Sequence, residues 1–157
     1  MKKIQVRASL EALKTIKMAK IENKTIRNTL IKDHMALLDE QDRIDRDLCK
    51  LETAMLSGYK PEQRKALADR QDAVSVEPDA AKRAEMSRAI LVDFSDLLAA
   101  QRAYNREAVR MSDKPVTCKL DLLPRDAMLA ELDAQDFDFA LLENIYPLLE
   151  PVEKNNK

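Results

Sequence analysis

Few side chains in this sequence have chemistry to offer, and their spacing decides what that chemistry can be. His34 is the single histidine, Cys49 and Cys118 are the two cysteines, and acids concentrate at Asp39, Glu40, Asp42, Asp45 and Asp47. A metal centre needs three or four converging ligands, and neither cysteine has a second ligand at CxxC spacing. A lone imidazole on an apolar helix face is more often a packed core residue than a base, and Asp33 and Asp113 are the only carboxylates brought near it. The acidic run is interleaved with Arg43, Arg46 and Lys50 at helical ion-pair spacing, the pattern of a solvated face. A chain with one glycine has no Gly-rich phosphate loop, and no Ser, His and acid set stands at nucleophile spacing. The sequence predicts no enzyme, no metal and no cofactor.

What remains is binding, and two features offer it. Lys14, Lys17, Lys20, Lys24 and Arg27 recur at steps of three and four, so they stack as a basic stripe if one helix carries them all. Such a stripe can follow a phosphate backbone. No aromatic side chains lie nearby to stack on bases, and the acids Asp133, Asp136 and Asp138 are placed to fold back beside the stripe. The second feature is an apolar row, Ile31, Met35 and Leu38 on one long helix with Leu91 and Leu98 on another. It widens the apolar face beyond what two helices cover. The leading expectation is a non-enzymatic interaction protein that binds a protein partner or a second copy of itself. The alternative is a nucleic-acid-binding accessory protein using the Lys14 to Arg27 stripe.

The elements that must position these residues follow from periodicity. Apolar residues at 45%, charged residues at 35%, aromatics at 4% and a single glycine give the profile of long helices. A seam through Leu30, His34, Leu37, Gln41, Ile44, Leu48, Leu51 and Met55 steps by four and three. It stops at Gly58, a residue suited to a left-handed helix cap, with Pro61 beyond. A second seam, Ile90, Phe94, Leu97, Gln101, Tyr104, Ala108 and Met111, follows Pro78 and Asp79. The reading is one mostly helical domain over residues 1–150. A coiled-coil-like antiparallel hairpin spans 24–57 and 79–112, with a connector over 58–78 that holds a short helix from Pro61 bearing Leu67 and Val74. Whether the first helix, capped by Ser9, runs on into the hairpin stays open at Glu22 to Thr25.

Two segments read as strands. Ile4 and Val6 alternate with polar residues over 3–7, as do Val116, Cys118, Leu120 and Leu122 over 116–122. An isolated strand is unstable, so the two are expected to pair as a two-stranded β ribbon joining the N-terminus to the region after the second long helix. Two short helices follow, at 124–133 after Pro124 and at 138–146 with Asp136 or Asp138 as cap, and the tail 151–157 reads as disordered. Aligning the two seams antiparallel places Gln41 and Gln101 in one layer, where two amides can satisfy each other and pin the register.

The formal net charge is −1, yet the ends differ in sign. Residues 1–32 hold nine bases against two acids, and residues 113–157 hold ten acids against five bases. The absence of a signal-like start or a long apolar run points to a cytoplasmic protein without a membrane anchor, and unpaired cysteines fit a reducing compartment. The layout resembles that of small uncharacterised proteins from tailed-phage and prophage genomes. These begin with a short Lys-rich strand and helix, continue through a charged helical region, and finish with a strand-like segment and two short acidic Leu-rich helices. The matching pieces are Met1 to Val6, the stretch around Lys24 to Leu38, Val116 to Leu123, and Phe137 to Leu149. The resemblance implies a phage-encoded or prophage-encoded accessory protein that acts by binding.

Overall fold

A computed structural model describes residues 1–135 and 137–151, and among them every regular element is helical. The α-helices are α1 (Val6–Thr15), α2 (Lys24–Leu56), α3 (Pro61–Val76), α4 (Ala80–Asp93), α5 (Ser95–Ser112), α6 (Arg125–Asp133) and the single turn α7 (Leu142–Ile145). Short 3₁₀ turns occupy Lys3–Gln5, Met18–Lys20, Phe139–Leu141 and Tyr146–Leu148. The tail residues 152–157 and the candidate cap Asp136 lie outside the described residues.

Local chemistry sets the helix ends. The Asn23 side-chain oxygen accepts from the backbone N–H groups of Thr25 and Ile26 at 3.0 and 3.3 Å, so α2 starts afresh there. Asp79 accepts from Ala81 and Lys82 at 2.8 and 3.0 Å and caps α4. Asp138 accepts from Ala140 at 2.9 Å as the 3₁₀ turn begins. Each oxygen satisfies donors that the first helical turn leaves without an intrahelical partner.

The expected β ribbon does not form. Residues 3–7 are a 3₁₀ turn running into α1, which starts at Val6 rather than after Ser9. Ser9 lies inside α1, fully buried, and its hydroxyl donates to the Asn144 carbonyl at 2.6 Å. Residues 116–122 belong to no strand among the described residues. The two regions do meet, but through one isolated antiparallel bridge between Lys2 and Pro115. Lys3 N–H donates to the Lys114 carbonyl at 2.9 Å, and Val116 N–H to the Met1 carbonyl at 3.2 Å. Period-two alternation reports an extended backbone; whether a ladder forms depends on what that backbone faces.

The chain divides into two compact units, one of Met1–Arg46 with the described residues from Met111 on, the other of Asp47–Arg110. In the first, α1 packs against α7. Its buried side chains include Val6, Leu10 and Leu13 of α1, Met128 and Leu132 of α6, and Ile145 of α7. A parallel bridge joins Leu123 to Leu149, with Leu123 N–H donating to the Leu148 carbonyl at 2.8 Å and Glu150 N–H to the Leu123 carbonyl at 2.9 Å. In the second, α3 packs against α4, and buried Leu56, Leu67, Ile90 and Leu97 form a core with Tyr59, Val74 and Phe94 at its margin. The connector helix supplies Leu67 as a fully buried side chain. The second long helix is interrupted, since Phe94 departs from helical geometry (φ −127°, ψ 25°) between α4 and α5.

Gly58 does not use the left-handed backbone expected of it, and a Cβ there would meet nothing within 4 Å. Replacing it by alanine removes freedom from the unfolded chain without strain in the folded one. Gly58→Ala should therefore leave stability unchanged or raise it by up to about 1 kcal/mol in urea unfolding; a loss would show that glycine is required there.

Candidate functional site

The long helix α2 presents two contrasting faces within the first unit. Its buried stripe is Ile26, Leu30, Asp33, Leu37, Glu40 and Ile44, stepping by four and three. Asp33 and Glu40 are completely buried at two positions of this seam, one heptad apart. The sequence-derived seam ran through His34 and Gln41, one residue further on, and both of these are only half-buried. The signal was present: both acids fall in the cadence of the apolar residues, but the neighbouring acids and bases make Glu40 read as part of a solvated run.

The two buried carboxylates hold the extended segment 117–121 in place of a partner strand. Glu40 accepts the Thr117 N–H at 3.0 Å on one oxygen and the Thr117 hydroxyl at 2.6 Å on the other. Arg43 lies 3.5 Å from the same carboxylate and also donates to the Thr117 hydroxyl oxygen at 3.1 Å. Asp33 accepts the Asp121 N–H at 3.0 Å, and Lys32 pairs with the Asp121 side chain.

The two acids are satisfied to different degrees. Burial pushes the Glu40 carboxyl up, but the Thr117 hydroxyl and N–H, aided by Lys3 and Arg43, outweigh it and hold Glu40 below the ordinary 4.5. Asp33 has one donor, its Oδ2 is buried without a partner among the described residues, and burial pushes it above the ordinary 3.8. His34 Nε2 is likewise buried without a partner among those residues. Burial, with the charge of Glu40 next, also raises the Cys118 thiol, which keeps it protonated and a poor nucleophile. No group of three or more His, Cys, Asp or Glu among the described residues is arranged to hold a metal ion.

The basic stripe does not lie on one helix. Lys14 is in α1, Lys20 in the 3₁₀ turn, Lys24 and Arg27 in α2, and Lys17 between elements. The intervening turn is clasped by α6: Glu131 accepts the Glu22 and Asn23 N–H groups at 2.9 and 2.8 Å, and Gln135 accepts the Lys17 N–H at 2.9 Å. Acidic residues do fold back here, but Glu131 grips backbone rather than neutralising lysines. Lys14 pairs with Glu11 at 2.7 Å, and Arg27 donates to the Ile21 carbonyl at 3.4 Å. Lys20 lines an open hollow of about 700 Å³ floored by Ala19, Ala127, Ala130 and Ala134.

The opposite face of α2 carries the apolar row. Ile31, Met35 and Leu38 are 47%, 58% and 38% exposed. Leu91 and Leu98 belong to the second unit, Leu91 exposed and Leu98 partly buried against that unit's core. Gln41 lies in the first unit and Gln101 in the second, and the Gln41 amide donates to Asp45 of its own helix at 2.9 Å. Among the described residues no helix is long and apolar enough to cross a membrane. No family model, curated protein or solved structure matches the chain.

Two outcomes follow. Glu40→Gln should cost about 1 to 3 kcal/mol, because its amide nitrogen meets a hydroxyl and N–H that need an acceptor. Asp33→Asn should stay within about 1 kcal/mol of wild type at neutral pH, since the charge it removes is poorly compensated. The pH profiles should differ in sign. Glu40, lowered on folding, contributes stability that is full above 4.5 and lost as pH falls through its folded value. Asp33, raised on folding, contributes stability that is full below 3.8 and lost as pH rises through its folded value. Urea midpoints across pH should therefore lose the acid-side drop in Glu40→Gln and the alkaline-side drop in Asp33→Asn. The divided stripe predicts negligible duplex DNA or RNA binding even at about 50 mM salt, where nonspecific attraction is strong; steeply salt-dependent binding abolished by charge reversal at Lys17, Lys20 and Lys24 would restore the nucleic-acid reading.

Proposed function

We propose that the chain is a non-enzymatic interaction protein whose contact surface is the outer face of α2, an accessory role of the kind its phage-like layout implies. One observation carries this reading. Ile31, Met35 and Leu38 fall on successive turns and stay substantially exposed, while Leu30, Leu37 and Ile44 on the other side of the same helix are buried. Isolated exposed apolar residues are ordinary, but three aligned on one helix face form a contact patch. The buried face fixes the helix that displays them, so a partner meets a preformed surface and loses little ordering entropy on binding.

The test is a photo-activated cross-linking amino acid at Met35 in the cell of origin, with the same group at exposed Asp126 as control. Irradiation should give a protein adduct from position 35 and none from position 126. No adduct from position 35 overturns the reading.

A further inference from the structure

We propose that the outer face of α2 receives a second copy of this chain, the two α2 helices lying antiparallel about a two-fold axis beside Met35. The proposal rests on the reading of Ile31, Met35 and Leu38 as a protein-contact face and names the partner. Its ground is the order of side chains along that face. Lys24, Arg27, Ile31, Met35, Leu38, Asp42 and Asp45 recur at steps of three and four, which keeps them within an arc of about 80° at 3.6 residues per turn. All seven lie in the first unit, on one uninterrupted helix.

The sequence of types along the face runs basic, apolar, acidic, and it is symmetric about its middle. In an antiparallel pair centred on Met35, Lys24 of one copy meets Asp45 of the other, Arg27 meets Asp42, Ile31 meets Leu38, and Met35 meets its own equivalent. A two-fold contact requires such self-complementarity, residue i facing j and j facing i. Lys24, Asp42 and Asp45 are exposed and Arg27 is half-buried. None of the four makes an intramolecular salt bridge among the described residues. A parallel pair would set lysine against lysine and aspartate against aspartate, so the same charges select the antiparallel orientation. Exposed ion pairs contribute little affinity; the apolar centre holds the pair and the charges orient it. One helix pair buries a modest area, so association in the micromolar range is expected.

Sedimentation velocity on the full chain, from low micromolar to near-millimolar concentration, tests this. Wild type should pass reversibly from monomer to dimer. Met35→Glu should weaken association at least about 100-fold, since two carboxylates meet at the axis. Lys24→Asp with Arg27→Asp should be monomeric alone, as should Asp42→Lys with Asp45→Lys, and an equimolar mixture of the two double variants should recover the dimer. Every substituted side chain lies on the outer face, so circular dichroism should be unchanged. Should one variant nevertheless misfold, the wild-type concentration series and the remaining variants still decide. A wild type monomeric throughout, a dimer indifferent to Met35→Glu, or a mixture that fails to recover would each overturn the proposal. A cross-link from position 35 to a different protein alone would overturn the second copy and leave the interaction reading standing, whereas no protein adduct would overturn both.

Discussion

Two carboxylates one heptad apart on the buried side of α2 do for the first unit what a second strand would do in a sheet. The extended segment after α5 brings backbone donors that must be satisfied once removed from water. Glu40 takes the Thr117 N–H and hydroxyl, and Asp33 takes the Asp121 N–H. Around this clasp the remainder is placed: the N-terminus bridges to Pro115, and Leu123 bridges to Leu149 beside the last turns. The segment is fixed to a helix, which explains why alternation without a partner strand yields ordered extended chain.

The clasp also sets the electrostatic character of the interior. Buried charge is costly unless paired and hydrogen-bonded. At Glu40 the balance is met by four groups, Thr117 through two donors, Arg43 and Lys3. At Asp33 it is met by one backbone donor, with an oxygen left over. The two sites therefore respond to pH in opposite senses although both are buried acids on one helix stripe. With its inner face committed in this way, α2 is held as a fixed rod, and its outer face becomes a surface of defined order, basic at one end, apolar in the middle and acidic at the other.

Much of this was legible in the sequence. The bounds of α2, the caps at Asp79 and Asp138, the connector helix from Pro61 with Leu67 and Val74, and the exposed trio Ile31, Met35 and Leu38 all follow from spacing and cap chemistry, which are local. The heptad cadence was legible too, but His34 and Gln41 were taken as its polar members. A cadence of four and three fits two adjacent phases on an acid-rich helix, and burial alone separates Asp33 and Glu40 from the neighbours that face water.

The sequence by itself determined the helical class, the charge order along α2 and the extended character of residues 116–122, because each depends on side-chain type at a fixed local period. Tertiary structure alone decided that the extended segment lies on buried carboxylates rather than beside residues 3–7, because the partners are 77 and 88 positions apart. It also decided that the basic stripe is broken at the turn clasped by Glu131 and Gln135. Both choices turn on which distant group reaches a backbone N–H first and shields it from water, a competition that no local pattern records.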